Sequence, residues 1–327
     1  MRRHAWLLLA LCAALAGHAR QAQAQTCTAT MTPIVIPSVS PIRNVAFTSS
    51  GTISVTCNWG LLNLEPNTQV CLNLATGSAS ASQNPRTLGN GGNRLQYRVA
   101  DSANANYSPL WGSTATGTTP ISFTMTQPVL GTSATRIVTI NAQVTPNQTT
   151  VPTVNNATTV YTESLVATMR YGYWGILTPQ PSCATAPSTY TFTPQISANV
   201  INDCTISASP MNFGSQGLLA TTVNATASLS VRCTNNDAYA IALNGGGNGT
   251  VAARNMMRQG GQQLVPYQLY LDPARTTPWG DGTLGTSRVT RTGTGLDEVI
   301  TVYGSIQPQA APVPGTYTDT VLATVYF

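Results

Sequence analysis

The chain has 327 residues, of which 42% are apolar and only 8% charged, with a formal net charge of +5. All fifteen basic residues are Arg, and the two histidines, His4 and His18, both stand near the start. A chain without Lys, and without His beyond that start, excludes His-based triads, His metal sites, Schiff-base lysines and phosphate-loop lysines. It is read as no enzyme, with no cofactor and no metal site. No basic patch is visible, so nucleic acid is excluded as a partner. The apolar residues are too abundant, and too regularly alternated, for a disordered chain.

Arg2, Arg3 and His4 form a positive head, followed by an apolar stretch over 5–17. That stretch is too short to cross a hydrocarbon core of ~30 Å. Ala22-Gln23-Ala24 then offers a small-x-small cleavage site, so residues 1–24 are expected to be a secretory signal peptide and Gln25 the mature start. Cys12 is expected to leave with it. Six cysteines remain, Cys27, Cys57, Cys71, Cys183, Cys204 and Cys233, with no CxxC among them. An even number in an exported chain favours disulfides over zinc.

Cys27 opens the first of two similar units, and a strand is expected over 52–57, ending at Cys57. Between Cys57 and Cys71 lies more chain than the second unit has after Cys233. It carries Trp59, Leu61, Leu62 and Leu64. These are read as an inserted loop offering an exposed apolar contact, or else as a cap folded back on the core. A strand over 94–99 follows, then the apolar cluster Tyr107, Pro109, Leu110 and Trp111, in which Tyr107 and Leu110 are further contact candidates while Trp111, with a counterpart in Trp279, is read as core. Strands over 121–125 and 136–144 flank Val129 and Leu130, which are expected to project. The unit closes on Tyr161-Thr162-Glu163-Ser164-Leu165-Val166-Ala167 and runs to 171.

Residues 172–203 form an interdomain segment. Within 190–201, Phe192, Pro194, Ile196, Ala198 and Val200 alternate with polar residues, the pattern of a donated strand whose side chains enter successive pockets. Two assignments stay open: the segment complements the first unit, or it is the first strand of the second.

The second unit, 204–327, repeats the first in order. Cys204 and Cys233 stand where Cys27 and Cys57 do; strands are expected over 227–233 and 267–271. Tyr267 answers Tyr97, Trp279 answers Trp111, and 300–306 answers 138–144. Tyr317-Thr318-Asp319-Thr320-Val321-Leu322-Ala323 answers the closing run. The repeat pairs Cys27 with Cys57 and Cys204 with Cys233, which leaves Cys71 for Cys183. Short Thr-, Val- and Tyr-rich strands punctuated by Gly and Pro predict an all-β protein of two immunoglobulin-like sandwiches, a flat barrel being the alternative. The last strand, over 320–327, is expected to present Val321, Ala323, Val325 and Phe327 on an open acceptor edge that another chain must cover.

Cys204, Met211-Asn212-Phe213-Gly214, Cys233, Arg254-Asn255-Met256, Trp279-Gly280-Asp281-Gly282 and Gly315-Thr316-Tyr317-Thr318-Asp319 together resemble the spore coat protein U domain family. That family includes subunits of archaic chaperone–usher pili. The first unit carries a degraded version, in which Trp111-Gly112 lacks the Asp-Gly. The resemblance implies a second domain that is an incomplete pilin fold lacking its last strand. Its implied partners are a periplasmic chaperone, an outer-membrane usher, and an adjacent pilin subunit that donates its N-terminal strand. Two-domain members stand at the pilus tip, exported through the periplasm to the cell surface. There the N-terminal domain attaches to abiotic or host surfaces and supports biofilm formation. The alternative reading is a structural pilus or coat subunit that only polymerises.

Overall fold

The computed structural model describes residues 25–60, 64–102 and 107–327. The leader with Cys12, and also Leu61 and Leu62, lie outside the described residues. The described chain is all-β and builds two immunoglobulin-like sandwiches.

The first begins with β1 (Thr26–Met31), β2 (Ile34–Val39), β3 (Phe47–Asn58), β4 (Asn67–Leu74), β5 (Arg86–Asn90) and β6 (Asn93–Ala100). It continues with β7 (Ile121–Thr126), β8 (Ser133–Val144), β9 (Thr159–Ser164), β10 (Ala167–Trp174), β11 (Ser188–Phe192) and β12 (Gln195–Val200). One sheet runs β1-β3-β8-β6-β5-β9-β12-β2, and the facing sheet β11-β10-β4-β7. In β3 the period of two puts Ile53, Val55 and Cys57 inward with Thr and Ser between them. These meet Leu72, Tyr97, Ile140 and Met169 in one core.

The second sandwich comprises β13 (Cys204–Ala208), β14 (Val223–Cys233), β15 (Ala238–Leu243), β16 (Arg254–Arg258) and β17 (Leu264–Tyr270). It ends with β18 (Val289–Thr292), β19 (Glu298–Ile306), β20 (Tyr317–Thr318) and β21 (Ala323–Tyr326). Its sheets run β13-β14-β19-β17-β16-β20 and β18-β15-β21. The single closing strand expected over 320–327 is broken. Asp319 accepts the Gly247 amide at 2.7 Å, and the Leu322 amide turns to Asn244 Oδ1 at 2.8 Å. Residues 319–322 thus leave the ladder between β20 and β21.

Disulfides join Cys27 to Cys57, Cys204 to Cys233 and Cys71 to Cys183. The first two lie between directly opposed residues of β1 and β3, and of β13 and β14. The third ties the stretch between β10 and β11 to β4.

The segment 190–201 lies in the first sandwich. β11 pairs antiparallel with β10, while β12 inserts between β9, antiparallel, and β2, parallel. Phe192, Ile196, Ala198 and Val200 are buried in the first core. Between the sandwiches, Asp203 accepts from Ser40 Oγ at 2.8 Å and Arg43 Nε at 2.6 Å. Asn156 exchanges two 2.8 Å bonds with the Ala238 backbone, and Asn235 Nδ2 donates to Thr150 O at 2.7 Å.

Candidate functional site

Two regions distinguish the sandwiches: a cluster of apolar loops on the first and an open groove on the second. Three loops meet at one end of the first sandwich. Trp59 N donates to Thr132 O at 2.7 Å, Gln127 N to Pro66 O at 2.7 Å, and Ile176 N to Leu64 O at 3.4 Å. Gln127 Nε2 adds a 3.3 Å bond to Gly60 O. At Gly175 a Cβ would stand 2.0 Å from Leu64 O, so the third loop reaches the first only through glycine. The loop at 127–132 raises Val129 and Leu130 into solvent, 100% and 93% exposed. Leu64, on the first of the three loops, is exposed as well.

Trp59 takes the core-capping alternative, and Tyr107 is not placed as an exposed contact. Trp59 is 0% exposed, because the inward alternation Ile53, Val55, Cys57 carries on into it and its ring packs edge-on to Tyr173 at 6.1 Å. Tyr107 is also buried. The turn after it folds inward as Trp111 N donates to Val99 O at 2.8 Å and Trp111 Nε1 to Leu72 O at 2.9 Å. Leu110 is half-buried. Sequence reasoning missed Ile176 and Leu177, which are 87% and 75% exposed on the third loop. Nothing in their local pattern separates them from a core pair; only the long-range bond to Leu64 places them at this end.

The second sandwich holds a cavity of about 560 Å³ open along one side. Met211 and Phe213 line one rim, Val321 and Ala323 the other, over Leu269 and Val302. Both rims belong to sheet margins: β13 and β20 are the outer strands of their sheet, and β21 of its own. Val321, Ala323 and Val325 pack half-buried on the second core, and Phe327 is exposed.

A buried cluster sets the position of the β20 rim. Arg254 donates to Asn244 O and Trp279 O, both at 2.9 Å, and Trp279 Nε1 donates to Ile241 O at 3.0 Å. Burial lowers the pKa of Arg254, and its bonds to carbonyls replace the water it has lost. Tyr267 donates to Asp319 Oδ2 at 2.6 Å. The first sandwich repeats the cluster with Arg86, Trp111, Tyr97 and Glu163, the Tyr97–Glu163 bond again being 2.6 Å. Among the described residues no group of three or more His, Cys, Asp or Glu could hold a metal ion.

The Spore Coat Protein U domain family matches residues 14–168 and again 190–324. The chain belongs to this family. Membership of this family supports a protein that is not an enzyme. Protein U of Myxococcus xanthus is 34% identical over an alignment of 147 residues that covers 40% of this chain and 80% of that protein. Among solved structures, this spore coat U chain is similar to one in the CsuC–CsuE chaperone–tip adhesion subunit pre-assembly complex of Acinetobacter baumannii archaic chaperone-usher Csu pili. Identity there is 18% and the TM-score 0.50, over 92% of this chain and 100% of the other. The CupB6 tip adhesin of Pseudomonas aeruginosa is 10% identical with a TM-score of 0.41, over 92% and 93% of the two chains. The 18% likeness is one of fold.

Proposed function

We propose that this chain is the tip subunit of a chaperone–usher pilus and attaches to surfaces through the apolar loops of its first sandwich. The observation that carries the reading is an asymmetry: the groove of the first sandwich is filled by β12 of the same chain, whereas that of the second is open. A chain so built accepts a strand from an adjacent pilin and needs none for its first sandwich. Until that strand arrives, a periplasmic chaperone covers the groove, and an outer-membrane usher makes the exchange. The similar Acinetobacter chain, described in complex with a chaperone, supports this order. Export begins with the leader expected over 1–24, and the assembled chain stands at the cell surface.

Leu64, Val129, Leu130, Ile176 and Leu177 form the adhesive end. Burial of apolar surface yields about 25 cal/mol per Å² whatever apolar material lies opposite, so abiotic plastic and host surfaces are alike as targets.

The test is recovery of the chain from its native periplasm, followed by attachment of intact fibres to polystyrene. A stoichiometric β-rich chaperone is expected with the chain. Fibres carrying Val129→Asp and Leu130→Asp should assemble and fail to attach. A lone monodisperse chain sinks the reading. Loss of the fibres themselves in the loop variant favours a subunit that only polymerises.

A further inference from the structure

The two grooves correspond residue by residue, and the filled one is a template for the open one. Ile34 and Met211 each stand seven residues after the first cysteine of their unit. Just before them, Thr52 N donates to Thr32 Oγ1 and Ser228 N to Ser209 Oγ, both at 2.8 Å. On the opposite rim, the tyrosine–carboxylate bond aligns Glu163 with Asp319. Tyr161 and Tyr317 each donate to a backbone carbonyl, at 2.6 and 2.7 Å. Met211 and Phe213 therefore stand for Ile34 and Ile36, and Tyr317, Val321, Ala323 and Val325 for Tyr161, Leu165, Ala167 and Met169.

In the first sandwich all six of these residues are buried, and their six counterparts in the second are only half-buried. The physical difference is β11 and β12, which cover the first set. There Phe192 lies opposite Ala167, Ile196 opposite Glu163 and Ile34, and Ala198 opposite Tyr161 and Ile36. The second family match begins at residue 190, so this covering segment is the second unit's own leading sequence, placed in the first unit's groove. Head-to-tail repetition gives the second groove to the leading sequence of a further unit in another chain.

Resting on the donor-strand reading above, we infer the polarity, register and side-chain pattern of that occupant. It is an extended segment with the span of 188–200, antiparallel to β20 and β21 and parallel to 211–213. It carries a large apolar residue opposite Ala323 and a branched apolar residue opposite Asp319 and Met211. Opposite Tyr317 and Phe213 it carries only Ala or Gly. The last position is the most selective. Ala198 is completely buried where the wall is Ile36. In the second groove the wall is the larger Phe213, already packed 6.2 Å from the Tyr267 ring. A bulkier side chain there must push Phe213 out of that packing to be seated. It follows that the chain's own covering segment, supplied in trans, is a ligand of its second sandwich.

The test uses the full mature chain with its disulfides intact and a synthetic peptide of residues 188–201. Calorimetry is expected to show a saturable rise of the second sandwich's transition, with an Ala198→Leu peptide weaker by about tenfold or more. Register is read by disulfide trapping: a Ser197→Cys peptide should couple to Thr318→Cys and not to Thr324→Cys. Equal binding of the Ala198→Leu peptide, or coupling at Thr324→Cys, overturns the register and leaves the donor-strand reading standing. Coupling at Thr162→Cys puts the peptide in the first groove and overturns the inference as well. If no alternating peptide binds and both sandwiches melt as complete domains, the inference and the donor-strand reading fall together.

Discussion

Tyr267 donates its hydroxyl to Asp319 Oδ2 at 2.6 Å, linking the floor of the open groove to its rim. Burial first, and the Asp319 carboxylate second, push the tyrosine's pKa well up, so it remains a donor throughout the ordinary pH range. Asp319 takes a second bond from Gly247 N, and the approach is so close that a Cβ on Gly246 would stand 2.0 Å from its Oδ2. With φ at +76°, Gly246 also occupies the left-handed region that favours glycine.

Removing the donor should loosen the rim without touching the first sandwich. Tyr267→Phe leaves a half-buried carboxylate short of one partner and is expected to cost the second sandwich about 1–3 kcal/mol. Two-transition calorimetry checks this, with the first transition as internal reference. Amide exchange at 319–322 should accelerate in the same variant.

Truncating the strand that fills the first groove should have the opposite address. Ile196 is buried against β2 and β9, so Ile196→Ala leaves a cavity and is expected to cost the first sandwich about 2–5 kcal/mol. Denaturant unfolding reads it. An unchanged first transition would remove β12 from that core.

The third loop offers a separation of attachment from stability. Ile176 and Leu177 stand in solvent, so replacing both with Ser should change unfolding free energy by less than about 0.5 kcal/mol each. Retention on polystyrene should nevertheless fall, as is expected for Val129→Asp. Full retention would confine adhesion to the other two loops.

Acid should act on the turn after β17. Asp272 accepts from the Thr276 and Thr277 amides, which hold its pKa at about 2 against an ordinary 3.8. A folded value below the unfolded one stabilises above pH 3.8, and the contribution is lost as pH falls toward 2. Exchange of the Thr276 and Thr277 amides should be slow, after correction for intrinsic rates, above that window and speed up within it. Asp272→Asn should abolish the step.

The repeat made the fold legible, because the Tyr97–Glu163 and Tyr267–Asp319 pairs answer to runs that align without gaps. Arg86 is not legible from the repeat, because it stands closer in sequence to Tyr97 than Arg254 does to Tyr267, and its role shows only in the equivalent carbonyls, Trp111 O and Trp279 O, that the two guanidinium groups bond. Trp59 follows the second of its two readings, the cap on the core, and its alternation with Cys57 is the signal that places it inward. The two-residue strand β20 and the turn at Asp319 were beyond reach, since alternation over 320–327 says nothing of the Gly247 amide that breaks it. Loop proximity was hidden too, for it depends on bonds between residues far apart in sequence, such as Ile176 to Leu64.

Only Ile201, Asn202 and Asp203 separate the end of β12 from Cys204, and Cys204 is bonded to Cys233 in the neighbouring strand. Ser40 and Arg43 hold Asp203 within that short stretch. In the tip role proposed above, a surface pulling on the loops of the first sandwich passes its tension to the second through Ile201, Asn202 and Asp203. In that role the joint between the halves offers little slack, and compliance that protects the bond from shear is expected further along a fibre.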